Sequence, residues 1–328
     1  MLTNRPIRLV NYYINHSMEQ PILKVENLSH RYSVQWAIRD INFEISENGV
    51  VGLLGSNGAG KSTTMNIICG VLNQTEGNVF INGLNLREDP VEAKRYIGFL
   101  PQQPPLYTDL TVEEYLKHSA FLRLMPAEEV GKAVDRALER CAITHFRDRL
   151  IKNLSGGYQQ RVGIAQAIVH NPKFVVLDEP TNGLDPNQIV DIRNLIREIA
   201  EDHAVLLSTH ILSEVQAICN EIKMIENGKL VFSGSMEDFD NYVAPESFVI
   251  EFGKSPDKTV LETLCDNKGV EVLGNGRFRI FLKDDTAITE RYVEASVANG
   301  WELKDLLVER CSLDEIFAQL SGKTKNSK

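Results

Sequence analysis

The sequence is poor in cysteine and places what it has badly for cross-linking. Cys69, Cys141, Cys219, Cys265 and Cys311 are far apart, odd in number and include no C-x-x-C pair. That excludes a disulfide scaffold or zinc site and fits a reduced compartment. No stretch approaches the ~18 consecutive apolar residues of a membrane-spanning helix, so if a membrane is involved another chain must cross it. A basic surplus is also missing. The formal net charge is −10, the wrong sign for a duplex-binding surface, and no nucleic-acid partner is expected. Residues 1–17 hold Arg5 and Arg8 but no apolar core for a secretory signal. They read as a loose leader, with Met18 as the expected physiological start. The rest is ordinary: 328 residues, 43% apolar and 24% charged, enough for about two domains.

The chain is organised around residues 50–63. A short apolar run, Val50-Val51-Gly52-Leu53-Leu54, ends at Gly55. Ser56, Asn57, Gly58, Ala59 and Gly60 follow, and Lys61, Ser62 and Thr63 lead into helix-compatible residues. Strand, loop and helix are the setting in which G-x-x-x-x-G-K-S/T means a phosphate cradle. Glycines let backbone N–H groups curl around an anion, and the following helix points its positive end at it. In that arrangement Lys61 would reach the β- and γ-phosphates of a nucleotide and the Ser62 hydroxyl Mg²⁺.

Around this loop, alternation predicts strands over 22–28 and 37–45. Tyr32 lies between them, as an adenine-stacking ring or as a half-exposed strand tyrosine. Further strands are predicted over 78–82 and 95–100. The second runs into Pro101-Gln102-Gln103-Pro104-Pro105, an irregular loop because three prolines forbid a helix. Thr111 and Glu114 form a capping box, and Pro126 starts a second helix with Val130, Val134, Leu138 and Cys141 on one face. Residues from about 103 to 165 thus read as an inserted helical subdomain.

Leu154-Ser155-Gly156-Gly157 opens the next helix, a second potential anion site. Residues 174–177 form a buried-type apolar strand ending in Asp178-Glu179, where a parallel sheet places ligand chemistry. Asp185-Pro186 is an N-cap and first-turn pair. A strand over 204–207 ends in Ser208-Thr209-His210, with the histidine placed either to reach a γ-phosphate or as a satisfied turn histidine. A hairpin through Asn227-Gly228 closes the sheet.

Residues from about 22 to 235 resemble the nucleotide-binding subunit of an ABC transporter. The phosphate loop, Gln102, the signature Leu154-Ser155-Gly156-Gly157, Asp178-Glu179 and His210 occur in that family's order. The resemblance implies an α/β fold: a phosphate-loop, RecA-like ATPase core with antiparallel β and helical subdomains. It also implies two subunits sandwiching two ATPs head to tail, each held by one phosphate loop and the other chain's Ser155, Gly156 and Gly157. Asp178 and Ser62 would hold Mg²⁺, Glu179 would orient and deprotonate the attacking water, and His210 would hold the γ-phosphate. Gln102 would sense Mg²⁺ and the membrane partner, Asp185 would cross the dimer interface, and Tyr32 matches the adenine-stacking aromatic. Two intact half-sites per chain are compatible with a homodimer. A separate transmembrane permease and a cytoplasmic location, peripheral on the inner face of the membrane, complete the expectation.

Beyond the ATPase domain, residues 18–235, the order over 236–322 is βαββαβ, a small ferredoxin-like α+β unit, with a tail over 323–328. Ser312 to Glu315 caps a last helix. This end is similar to that of ATPases serving multidrug, natural-product or gliding-motility export of the ABC-2 type. The unit is regulatory, dimer-stabilising or a plain appendage. The alternative to an export ATPase is a non-transport ABC ATPase acting in translation or DNA maintenance. Against it stand the single phosphate loop, the spacing of 93 positions from Ser62 to Ser155 without heptads, and the acidic charge.

Overall fold

A computed structural model describes residues 20–243, 245–283, 288–309 and 313–320. The leader, Met18, the Ser312 cap and the tail lie outside the described residues. The chain divides into two compact units, one ending at Ser235 and the other starting at Met236.

The first unit holds two sheets. Strands β1 (Leu23–Tyr32) and β2 (Gln35–Ile45) pair antiparallel, and β4 (Glu76–Ile81) with β5 (Leu84–Asn85) completes a sheet ordered β2-β1-β4-β5. Asn82-Gly83 turns β4 into β5, with Asn82 at φ +47 and Gly83 at φ +79, as a tight hairpin turn requires. The second sheet is built on β3 (Gly49–Leu54), β6 (Ile97–Leu100), β7 (Phe174–Asp178) and β8 (Ala204–Thr209), all parallel. With the hairpin β9 (Glu221–Glu226) and β10 (Lys229–Ser235), the order is β10-β9-β3-β8-β7-β6. Every residue of β7 and β8 is buried, which is why their sequences are continuous apolar runs rather than alternations.

Between the sheets lies one core. Leu23, Val25, Leu28, Ile38 and Ile41 from the antiparallel sheet meet Leu53, Val176 and Leu206, with Met65 and Ile68 of α1 (Lys61–Ile68) between them. Burying a side chain of this size is worth about 1.5–3 kcal/mol, so this cluster fixes the phosphate-loop helix against both sheets. Helix α2 (Pro90–Arg95) precedes β6. Here the strand expected over 95–100 is shorter: Pro90 in the first turn starts a helix that Lys94 and Arg95 close, and β6 begins at Ile97. Tyr32, expected between strands, is the last residue of β1.

Helices α3 (Val112–Leu122), α4 (Ala127–Arg140) and α5 (Gly156–Ile168) follow. The capping box on α3 is formed in both directions, Glu114 N donating to Thr111 Oγ1 at 3.2 Å and Thr111 N to Glu114 Oε2 at 2.8 Å. Helix α6 (Pro186–Ala200) is capped by Asp185 Oδ1, which accepts from Asn187 N and Gln188 N at 3.0 Å each. Helix α7 (Leu212–Ile218) follows β8.

The second unit starts with α8 (Met236–Asp240), a short helix in what composition suggests is an irregular polar stretch. Strand β11 (Ser247–Phe252), α9 (Lys258–Leu264), β12 (Gly269–Gly274), β13 (Arg277–Phe281), α10 (Ile288–Asn299) and β14 (Leu303–Glu309) then run βαββαβ, and α11 (Leu313–Leu320) ends the described chain. The sheet is antiparallel in the order β12-β13-β11-β14, the ferredoxin-like arrangement. Strand β14 starts at Leu303, just after Glu302, whose φ of +56 breaks the extended run. The core is Phe248, Ile250, Phe252, Phe278 and Ile280 against Leu261 and Tyr292.

Candidate functional site

Strands β3, β8, β7 and β6 are neighbours in the parallel sheet, so their C-terminal ends lie along one edge. The phosphate loop leaves β3, His210 follows β8, Asp178 ends β7 and Gln102 follows β6. Side chains scattered over 150 positions therefore meet because the sheet order makes them neighbours. A polar cleft of about 470 Å³ there is lined by Asn57, Gly58, Gly60, Lys61, Ser62, Thr63, Gln102, Glu179 and His210, with Ala37 and Asn182.

The loop is held from several sides. Gly60 takes φ +115, and a Cβ there would sit 2.5 Å from Ile38 Cγ2 and 3.0 Å from the Ala37 carbonyl. Only glycine satisfies both the conformation and the close approach. Ser56 Oγ donates to Glu226 Oε1 at 2.7 Å, and Ser56 N to Glu226 Oε2 at 3.2 Å, anchoring the loop to the end of β9. Lys61 is buried, and its Nζ donates to Gly55 O at 2.8 Å and Ser56 O at 3.1 Å. Burial lowers its pKa, an effect opposed by the carboxylates of Glu179, Asp178 and Glu226. Ala59 packs in the core behind the loop.

Asp178 is buried, accepts from Ser208 Oγ, and is hydrogen-bonded by Ser62. Burial raises its pKa, the neighbouring Glu179 charge adds to this, and Ser208, Lys61 and Ser62 oppose it. Glu179 has a left-handed backbone, φ +48, and its N–H donates to Ser208 O and Ser208 Oγ at 3.2 Å each. Its Oε2 accepts from Gln102 Nε2 at 3.2 Å and has Asn182 Nδ2 at 3.5 Å, while Oε1 lies 3.0 Å from His210 Nδ1. A carboxylate only accepts, so Nδ1 carries the hydrogen in that contact. The cleft thus offers a buried ammonium and paired oxygen donors beside the first turn of α1. One further carboxylate is fixed between three donors.

Gly55, Ser56, Ala59 and Asp178 are not in the lining but are joined to it by chain or by the contacts above, and five further residues singled out from sequence are not in this cleft. Tyr32 is 54% exposed, with its ring edge-on to His30 at 4.7 Å. Ser155 and Gly157 line a separate hollow of about 210 Å³ with Tyr158, Arg161 and Gln188. Gly156 is the first residue of α5, and Asp185 caps α6. Sequence reasoning missed Ser208, Glu226 and Asn182 as partners of site residues. Ser208 and Asn182 adjoin recognised motifs, but Glu226 carries no local signal, since only pairing of β9 with β3 brings it to the loop.

A glycine-rich loop after one parallel strand, an acidic pair after another and a histidine after the strand between them define a phosphate-loop ATPase. Residues 38–182 match the family model described as ABC transporter. The chain is 34% identical to the ABC transporter ATP-binding protein YdbJ of Bacillus subtilis, over 83% of this chain and 84% of that one. With the bacitracin transport ATP-binding protein BcrA of Bacillus licheniformis it shares 31% identity over 92% and 97% of the two chains. A solved dimer of the ATP-binding cassette MJ0796, in a post-hydrolysis state with ADP and Pi, superposes with a TM-score of 0.59 at 28% identity, covering 65% of this chain and 98% of that one. The chain belongs to the ABC transporter ATP-binding proteins: it is an ATP-binding subunit with an ABC-type ATPase domain. Among the described residues no helix is long and apolar enough to cross a membrane.

Proposed function

We propose that two copies of this chain close head to tail on two Mg-ATP molecules, hydrolyse them from Glu179, and drive export through a separate permease at the cytoplasmic face of the membrane. The observation that carries the reading is the Glu179 carboxylate, held by Gln102, Asn182 and His210 in a cleft floored by the phosphate loop. A carboxylate fixed in this way orients a water and takes its proton. Lys61 and the loop N–H groups bind the phosphates, and His210 holds the transferred group. The Ser62 hydroxyl and the Asp178 carboxylate form a hard oxygen donor pair, and the raised pKa of Asp178 marks a site that a cation would relieve. These donors fit Mg²⁺, which when bound neutralises phosphate charge. Gln102 hydrogen-bonds the base and joins its position to the loop that ends at Pro105.

Ser155, Gly156, Gly157 and Asp185 stand apart from this chain's own cleft, which fits their serving the nucleotide of a second copy. The dimeric cassette with ADP and Pi supports that assembly. Tyr32, exposed on the side away from His30, would stack on adenine. The permease would dock on a groove of about 450 Å³ lined by Lys94, Arg95, Pro105, Tyr107, Leu122 and Leu124. Leu122 is 66% exposed and Leu124 59%, an apolar cluster of the kind that marks an interaction surface. The alignment with BcrA spans both units, which supports a transport role for the whole chain. The C-terminal unit from Met236 would be regulatory or dimer-stabilising.

Glu179→Gln should lower hydrolysis by about 10²–10⁴-fold while sparing ATP binding, and should accumulate an ATP-bound dimer on size exclusion. Normal turnover in this variant would remove the general-base assignment. The same variant, used with ATP to capture partners from native membranes, should recover a polytopic membrane protein; ribosomes or DNA-bound complexes instead would favour a non-transport ATPase.

A further inference from the structure

A buried carboxylate outside the cleft links the two loops that hold Glu179 and His210. Glu214 lies in the first turn of α7 and is 1% exposed. Its Oε2 accepts from Thr209 Oγ1 at 2.6 Å and its Oε1 accepts from Thr181 Oγ1, with Arg193 Nη2 of α6 at 3.7 Å. Thr209 immediately precedes His210, and Thr181 is two residues past Glu179. A closed ring results: Glu179, Pro180, Thr181, Glu214, Thr209, His210, and back to Glu179 across the 3.0 Å contact.

Burying an ionised carboxylate costs several kcal/mol unless it is paired and fully hydrogen-bonded. Here both oxygens are satisfied by hydroxyls of the two functional loops rather than by a helix end or solvent. The Thr209 hydroxyl also accepts from Ile211 N at 3.0 Å, so its own hydrogen is committed to Glu214. Glu179 needs such support. A left-handed backbone at a residue other than glycine costs about 1–3 kcal/mol and persists only where its surroundings over-determine it. Ser208 holds that turn on one side through the Glu179 N–H, and the Thr181–Glu214 bond holds it on the other.

We propose that Glu214 is a positioning residue for ATP hydrolysis, holding the Glu179 turn and the His210 loop in mutual register without touching the nucleotide. This rests on the roles proposed for Glu179 and His210. The test is steady-state ATPase of the full chain, with ATP affinity measured separately and turnover normalised to binding-competent protein. Glu214→Ala should lower kcat roughly 10–100-fold, because a displacement of about 1 Å in a catalytic group has that effect. KM and ATP affinity should stay within about twofold, since the phosphate loop is anchored by Glu226 instead. Glu214→Gln keeps the length, one acceptor oxygen, and an amide that a threonine hydroxyl can accept from. It should restore kcat to within about threefold. Thr181→Val and Thr209→Val should each slow turnover, and Thr181→Val, whose printed side-chain bond is to Glu214 alone, should not add to Glu214→Ala.

An unchanged kcat, an equal loss of affinity and turnover, or an additive effect of Thr181→Val would each overturn the proposal. A purely structural role would lower the melting temperature and the competent fraction but leave normalised kcat unchanged. If Glu214→Ala does not fold, Glu214→Gln and the two valine variants decide the matter by the same kcat-against-KM split. Wild-type turnover in Glu179→Gln would instead overturn the underlying assignment.

Discussion

The ATP-binding unit and the C-terminal unit solve burial in opposite ways. The first buries Lys61, Asp178, Glu214, Lys223 and Glu226, together with Thr181, Ser208 and Thr209, mostly at or behind the edge that forms the cleft. In the second, the buried polar residues among those described are Ser247 and Ser296, and its charges meet in solvent-facing pairs such as Arg279 with Glu309 and Glu271. Buried charge is costly, so a fold keeps it where chemistry or the support of chemistry requires it. On that ground the C-terminal unit resembles a scaffold whose stability is set by packing.

Substitutions can break this comparison or sharpen it. The largest effect is expected at Gly55, where a Cβ would sit 2.1 Å from the Ile225 carbonyl. Gly55→Ala should abolish ATP binding in a titration of the purified chain, while the C-terminal unit still melts cooperatively. Retained affinity would mean that the loop tolerates a shift of β9 and is less constrained than its contacts imply. Next is Phe248→Ala, which empties the centre of the C-terminal core and should destabilise that unit by about 3–5 kcal/mol in denaturant unfolding. ATP affinity should be unchanged, and a parallel loss would show that the two units are energetically coupled.

Acid should reach the ATP-binding unit first. Burial, reinforced by the Arg123 charge, pushes His170 down to about 4, and burial also lowers His203. Unfolding returns His170 to its ordinary value near 6.5, so the unfolded chain binds more protons between these limits. The stability contributed is complete above about pH 6.5 and is lost as pH falls toward 4. A His170→Gln variant should flatten that slope in melting experiments across the range. In the C-terminal unit Arg279 holds Glu309 below its ordinary 4.5, so that pair weakens only in stronger acid. The smallest effect is expected from Arg279→Ala, a barely shifted midpoint in chemical denaturation, because its partners are solvent-screened. A clearly lowered midpoint would show that exposed ion pairs in this unit do more than decorate a packed sheet.

Much of this was legible in the residues themselves. Apolar runs at β7 and β8 announce a buried parallel sheet, Asp185-Pro186 announces a helix start, and the order β11 to β14 announces a split α+β unit. These signals are local, set by sterics and periodicity within a few residues. Less visible was α2, where a six-residue helix started by Pro90 is too short to show a period. The Tyr32 placement shifted for a similar reason, since cross-strand pairing of Tyr32 with Gln35 extends β1 beyond its alternating stretch.

By itself the sequence determined the phosphate loop, the residue types at the ends of the strands, the family and the order of elements, because each depends on short-range chemistry. Only the tertiary structure decided which of those residues share a cleft. It brought Gln102, Glu179 and His210 together, left Ser155 and Asp185 apart from them, and placed Glu226 and Glu214 behind the working loops. Those contacts follow from the order β3-β8-β7-β6 and the packing of α7, distances between residues remote in the chain that no local pattern encodes.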